Sequence, residues 1–299
     1  MPSLTDLIKD IEEKAETKGS FGGDLVQVPR ISTGILELDL AIGGGVPRGR
    51  VSEFFGPEGS GKTNGALGVI REAQKLDKTS KQAFIDVEGT WDPIWAAAMG
   101  VDVSRVYVIR PDFAEQTSDA MQLLITADDI NLIVLDSLAA MSPKKEHEKD
   151  TADQFYGGAT KDIKRMTQKT VVELNRRRTQ GLPAPAVIWI NQVRANFDAG
   201  PYGNPEKTPG GFSPRFAYSL RLRFYSSPII DEKVSKTLPV QRETSILVKK
   251  FKVPVTALAA KYKLTVQPYK DLKVGEVDSW HTVENMFKAQ GILTQLPKG

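Results

Sequence analysis

Cysteine is missing altogether from the 299 residues, and histidine occurs only twice, as His147 and His281. Without thiols there is no disulfide framework and no thiolate metal site. Two histidines so far apart argue against a structural zinc centre. No apolar run approaches the roughly 20 residues that cross a bilayer. Residues 1–14 are acidic and lack the apolar stretch of a secretory signal. These absences suit a cytoplasmic protein without membrane contact. A strong charge of either sign is lacking too. The net charge of +3 is compatible with a nucleic-acid partner without arguing for one. There is no internal repeat and no low-complexity segment. What remains is ordinary for a globular chain, with 40% hydrophobic and 26% charged residues. The length accommodates one large α/β domain with small appendages.

The most specific stretch is Gly56-Pro57-Glu58-Gly59-Ser60-Gly61-Lys62-Thr63, which fits the phosphate-loop pattern G-x-x-x-x-G-K-[ST] at every specified position. Residues 51–55 read as a strand entering the loop. Residues 64–73, starting at Asn64, read as a helix leaving it, with Leu67, Ile70 and Ala73 on one face. Glycines let the backbone curl so that its N–H groups point at phosphates, and the helix N-terminus adds partial positive charge. In such a loop Lys62 reaches the β- and γ-phosphates of ATP, and the Thr63 hydroxyl holds Mg²⁺.

Three further apolar runs end in polar residues: 82–88, 131–137 and 186–192. Helical patterns lie between them, including 113–124 and 162–178. Strands alternating with helices predict an α/β fold with a mostly parallel central sheet flanked by helices. Ligands of open α/β sheets bind at the carboxyl ends of the strands. Glu88, Asp136, Asn191 and Gln192 are therefore expected to converge on the bound phosphates. Asp136 fits the acid that holds Mg²⁺, usually through water. Glu88 fits the base that orients and deprotonates the attacking water, with Asp86 its rival deeper on the same strand. Gln192 carries an amide able to bond both the γ-phosphate and loop backbone.

Segments 142–158 and 194–211 look like long loops rich in glycine and charge, and long loops in a compact domain are usually functional. They mix Phe155, Tyr156, Phe197 and Tyr202 with cations, as single-strand binders do, although surface loops with incidental aromatics would read the same. At the N-terminus, Ser3 and Asp6 suggest a capping pair for a helix carrying Leu4, Leu7, Ile8 and Ile11 on one face. A glycine-rich linker follows, so that stripe is buried either in its own core or on a neighbouring subunit. Ser32 or Thr33 is expected to cap a short helix with Leu36 and Leu40. Arg176-Arg177-Arg178 reads as a solvated helix end. Residues 220–225 and 246–254 read as strands, and 282–293 as a short helix. Lys250 and Lys252 should share one strand face, with Phe251 turned towards the core.

In order, Ile31-Ser32-Thr33-Gly34, the phosphate loop, Phe84-Ile85-Asp86-Val87-Glu88 with Asp92-Pro93, Val134-Leu135-Asp136-Ser137, Ile190-Asn191-Gln192-Val193-Arg194, and Gly203-Asn204-Pro205-Glu206 with Gly210-Gly211 resemble the RecA family of homologous-recombination ATPases, in particular a phage-type member. The resemblance spans residues 28–254. It implies a RecA-type core over residues 25–268, a docking helix and linker over 1–24, and a short C-terminal segment over 269–299. It implies ATP and Mg²⁺ as cofactors and a DNA-dependent ATPase. Such a protein would form a helical filament on single-stranded DNA and exchange strands with a homologous duplex. Glu88 and Lys62 would act in hydrolysis, and Gln192 would couple the γ-phosphate to the second DNA loop. Asp92 and Trp95 match the adenine-contacting pair. Tyr156 matches a residue that wedges between base triplets, Lys161 a phosphate contact, and Arg194, Gly210 and Gly211 further DNA contacts. Lys250 and Lys252 match lysines that reach a neighbour's ATP. Gly89-Thr90 after Glu88 departs from the family's usual sequence, and longer members continue into a DNA-binding C-terminal domain. A ring-shaped helicase on the same core and a non-hydrolysing ATP-binding accessory protein are the alternative readings.

Overall fold

The computed structural model describes residues 3–15, 28–144, 158–195, 206–211 and 213–289. Among them an eight-stranded sheet forms the centre. Its strands are β3 (Val51–Gly56), β4 (Lys81–Asp86), β5 (Val106–Ile109), β6 (Ile130–Asp136), β7 (Ala186–Gln192), β10 (Leu220–Ile229), β11 (Gln241–Phe251) and β12 (Ala259–Thr265). The spatial order is β12-β11-β10-β3-β7-β6-β4-β5. The pairs from β10 to β5 are parallel, and β10–β11 and β11–β12 are antiparallel. Two small ladders complete the strands: β1 (Arg30–Ile31) with β2 (Val46–Pro47), and β8 (Arg194–Ala195) with β9 (Glu206–Lys207).

The central strands are apolar along their whole length because both faces are covered. Successive residues point to opposite faces. Phe54, Phe84, Ile188 and Phe224 enter one core, shared with Leu67 and Ile70 of α3 (Lys62–Leu76) and Leu38 of α2 (Leu36–Ala41). Ile85, Leu135, Val187 and Trp189 enter the other, shared with Met121 and Ile125 of α5 (Ala114–Thr126) and Met166 and Leu174 of α6 (Gly158–Thr179). The short helices α4 (Pro93–Ala98) and α7 (Ser213–Ala217) sit close to the strand ends.

In α1 (Leu4–Ala15) the expected capping pair is formed: Ser3 N–H donates to Asp6 Oδ2 at 3.1 Å and Asp6 N–H to Ser3 Oγ at 3.2 Å. Leu7 and Ile11 remain 44% and 59% exposed. The α2 helix differs from expectation. Its N-cap is Ile35, without a side-chain bond, while the Ser32 and Thr33 hydroxyls both donate to Asp39. A carboxylate one turn into the helix outcompetes the backbone N–H groups for these donors. The last helix, α8 (Ser279–Ala289), begins earlier than its sequence pattern suggests. The chain preceding it returns to the sheet edge through a Leu264–Val277 bridge. Among the described residues no helix is long and apolar enough to cross a membrane.

Candidate active site

β3 delivers the chain to the phosphate loop and α3 leaves it at Lys62. The residue before α3, Gly61, has φ 88°, where a side chain would be strained. Lys62 is buried, and its Nζ donates to the carbonyls of Gly56 at 3.2 Å and Pro57 at 2.6 Å. Burial lowers its pKa, and Asp136, Glu88 and Glu58 act in the opposite direction. The ammonium thus bonds the loop's own oxygens, and phosphate oxygens would be equivalent acceptors. Ser60 Oγ donates to the Pro57 carbonyl at 2.7 Å and tightens the turn.

The next residue of α3, Thr63, donates its hydroxyl to Asp136 Oδ2 at 2.8 Å. Asp136 ends β6 and is buried. Burial, with Glu88 and Asp86 nearby, raises its pKa to about 6 against the bond from Thr63 and the charge of Lys62. Glu88 lies two residues past β4, exposed, beside this pair. Its Oε1 accepts from Gln192 Nε2 at 3.0 Å and from the Ser137 hydroxyl. The Val87 and Glu88 N–H groups both donate to the Asp136 carbonyl, which fixes the spacing between the two acids.

Asp86 is engaged differently. It is buried, and it accepts from the N–H groups of Thr90 at 2.9 Å and Trp91 at 3.1 Å and from Arg110 at 3.3 Å. Its oxygens shape the turn after β4, which leaves the exposed Glu88 better placed to meet a water. Asp92 caps α4, accepting from Ile94 and Trp95 N–H groups at 2.8 and 3.1 Å. Trp95 is half-buried, and its indole N–H donates to Asn64 Oδ1 at 2.9 Å, so α4 is tied to the start of α3. Pro57, Glu58 and Gly59 form the exposed crown of the loop.

Gln192 leads directly into the segment closed by β8 and β9, in which Arg194 pairs with Lys207. Beyond it Gly210 and Gly211 have φ 93° and 71°. A Cβ on them would lie 3.0 Å from Ile163 Cγ2 and 3.4 Å from Thr160 Cγ2, so they run close along the start of α6. Arg194, Gly210, Gly211, Thr160, Ile163 and Met141 line a cavity of 580 Å³. Lys161 is exposed on the same turn of α6. Tyr156, with Phe155, Phe197 and Tyr202, lies outside the described residues.

Lys250 and Lys252 do converge, each donating to a carbonyl at the end of α7: Lys250 to Arg215 and Lys252, at 2.6 Å, to Phe216. Burial, Lys252 and Arg221 lower the pKa of Lys250, and Glu53 opposes them. The expectation that Phe251 enters the core is wrong, since it is 49% exposed. Phe251 pairs with the buried Leu220 and so keeps the face of Ile246 and Val248, but as the last residue of β11 it is only half covered. A bulge lies just before it: Arg221 pairs with Lys250 but Leu222 with Val248, so Lys249 is an extra residue.

Several site residues carry no motif. Glu53, fully buried in the middle of β3, accepts from Asn191 Nδ2 at 3.0 Å and from Arg221. Asn191 also donates to the Pro209 carbonyl at 3.3 Å. A chain of hydrogen bonds thus runs from Glu88 through Gln192 and Asn191 to the stem of the second loop. A glutamate inside an apolar strand was the available signal for Glu53. Ser137 closed the Val134-Leu135-Asp136-Ser137 motif, and Arg242, whose Nη2 donates to the Gly59 carbonyl, had no signal.

The RecA N-terminal domain family matches residues 4–267 of this chain. A Protein RecA of Clostridium novyi is 42% identical over 227 residues, covering 74% of this chain and 62% of the relative. That of Thermus aquaticus is 42% identical over 225 residues, covering 74% and 63%. That of Deinococcus radiodurans is 41% identical over 215 residues, covering 70% and 57%. The chain therefore spans about three-fifths of the length of the curated relatives it matches. With the phosphate loop, the paired acids and the sheet order described above, this match shows that the chain belongs to the RecA family.

Proposed function

We propose that this chain is a DNA-dependent ATPase that forms a helical filament on single-stranded DNA and promotes pairing and strand exchange with a homologous duplex in the cytoplasm. The observation that carries the reading is the bond between Glu88 and Gln192, beside the Thr63–Asp136 pair. One cluster holds the groups for hydrolysis and begins the segment that leads to the cationic, glycine-lined cavity.

ATP is the substrate. The loop N–H groups and Lys62 bind its phosphates, and Trp95 and Asp92 flank its base. The hydroxyl of Thr63 and the carboxylate of Asp136 are hard oxygen donors 2.8 Å apart, which suits Mg²⁺. Bound there, Mg²⁺ would neutralise phosphate charge. Glu88 holds the attacking water and takes its proton. Gln192, bonded to Glu88, exchanges that partner for the γ-phosphate and so transmits nucleotide state to the loop stem at Pro209. Lys161, Arg194, Gly210 and Gly211 contact the DNA backbone, with Tyr156 stacking on bases. Residues 25–268 form the ATPase core, and α1 docks on a neighbouring subunit.

Hydrolysis assayed with and without single-stranded DNA, together with negative-stain imaging with an ATP analogue, tests the reading. Filaments on DNA and DNA-stimulated turnover are expected, with binding that weakens steeply with salt. Rings that form without DNA would favour a helicase, and binding without turnover an accessory protein.

A further inference from the structure

The outer side of the phosphate loop is covered by strands from the antiparallel part of the sheet. Arg242, near the start of β11, donates from Nη2 to the Gly59 carbonyl at 3.1 Å and from Nε to Ser226 Oγ of β10 at 3.2 Å. Thr244 Oγ1 donates to the same Ser226 hydroxyl at 3.4 Å. A Cβ on Gly61 would stand 3.2 Å from Thr244 Oγ1 and 3.5 Å from the Tyr262 hydroxyl. Tyr262 is buried, which pushes its pKa up to about 12, so its hydroxyl stays protonated at neutral pH. β11 and β12 therefore meet two glycines of the loop, and Ser226 of β10 braces the β11 side chains that do so.

The Gly59 carbonyl and the Ser60 N–H belong to one planar trans peptide and point in opposite directions. A donor that grips the carbonyl from outside turns the N–H away from itself, towards the concave side of the loop. On its Ser60 side the peptide is held by that buried residue, whose hydroxyl bonds the Pro57 carbonyl, but on its Gly59 side it has no packing. Gly59 has φ 66° and is exposed, and an added Cβ there would find nothing within 4 Å. The guanidinium also adds a cation beside a polyphosphate. Its own anchor, Ser226, is neutral, so the charge is not cancelled by that bond.

We infer that Arg242 is a positioning residue of the nucleotide site: it holds the Gly59–Ser60 peptide in the phosphate-binding orientation and adds positive charge for a nucleoside triphosphate. This rests on the nucleotide-hydrolysis reading above. Arg242 belongs to the same strand as Lys250, so β11 touches the subunit's own loop at one end and carries the lysine pair at the other.

The test is a titration of ATP and ADP into wild-type protein and into Arg242→Ala, Arg242→Lys, Arg242→Gln and Ser226→Ala, with steady-state hydrolysis alongside. Arg242→Ala should weaken ATP binding about three- to tenfold, as expected for a charge-assisted hydrogen bond at a partly exposed site. The loss should be greater for ATP than for ADP and should appear in KM more than in kcat. Arg242→Lys should recover much of it, and Arg242→Gln should lie between. Ser226→Ala, which frees Nε while keeping the charge, should weaken ATP by about two- to threefold. ATP affinity and KM unchanged in Arg242→Ala at low salt would overturn the assignment. So would equal impairment of the Ala and Lys variants, which marks a role in folding alone. If the wild-type protein binds no ATP in the same titration, the nucleotide reading falls with it. Wild-type binding beside an unimpaired Arg242→Ala overturns only Arg242.

Discussion

Glu88 and Asp86 are two residues apart, and exposure separates them. Asp86 spends its oxygens on two backbone N–H groups and Arg110, whereas Glu88 is exposed and held by Ser137 and Gln192. Glu88→Gln should retain ATP binding and lose about 10²–10⁴-fold in turnover, the usual effect of removing a positioned base. Steady-state rates beside equilibrium binding check this, and unchanged turnover would move the role to Asp86. Asp136 offers a second test at this scale. Its folded pKa of about 6 lies above the ordinary aspartate value of 3.8, so the folded chain binds that proton more tightly than the unfolded one. This group therefore disfavours folding increasingly as pH rises from about 4 to about 6, by up to roughly 3 kcal/mol above that window. Without Mg²⁺ and nucleotide, Asp136→Asn should be more stable than wild type at pH 7 and closer to it at pH 4.5. Urea unfolding at the two pH values measures the difference, and a destabilised variant at pH 7 would contradict the burial argument.

Among the elements, β11 and α7 decide how one subunit could act on another. The Lys250 and Lys252 ammonium groups rest on the terminal carbonyls of α7, where helix partial charge is negative. Carbonyls are weaker partners than phosphate oxygens, so this arrangement holds the lysines ready at low cost to their release. In an assembled filament they would act on the neighbour's ATP, as an arginine finger does, where effects of about 10³–10⁵ on turnover are known. Glu88→Gln is defective in the subunit that holds ATP, and the double variant Lys250→Ala/Lys252→Ala in the subunit that donates. Mixing the two should therefore restore part of the DNA-dependent hydrolysis that neither shows alone. Assembly of both on DNA with no recovery at any ratio would assign the lysines to α7 alone.

On the scale of the whole molecule, the apolar stripe of α1 needs cover. Leu7 and Ile11 remain exposed in a single chain although the helix is properly capped. Burying the exposed half of two such side chains is worth about 1 kcal/mol each, which would add up in the proposed assembly along DNA. Leu7→Asp/Ile11→Asp should keep ATP binding by the isolated subunit and lose cooperative assembly on single-stranded DNA. Sedimentation with and without DNA reads both, and wild-type assembly by the variant would place that stripe elsewhere.

The sequence by itself determined the local chemistry. Contiguous residues make the phosphate loop, and strand-end acids announce themselves because an apolar run must stop at a charged residue. The capped first helix was legible because it depends on spacing along one short segment, and the convergence of Glu88, Asp136 and Gln192 because parallel strands bring their carboxyl ends together. Tertiary structure alone decided what crosses the sheet. β12 escaped notice because an edge strand carries weak hydrophobic patterning, and the first half of β11 because residues 241–245 are all polar although they lie between two strands. The bulge at Lys249 exists only in register with β10, and Phe251, paired with the buried Leu220, is left half covered at the strand end, neither of which a period within β11 could show. Arg242 meets Gly59 across 183 residues of chain, and Asn191 meets Glu53 across 138. Such contacts are fixed by strand order, a property of how the segments pack rather than of any one of them.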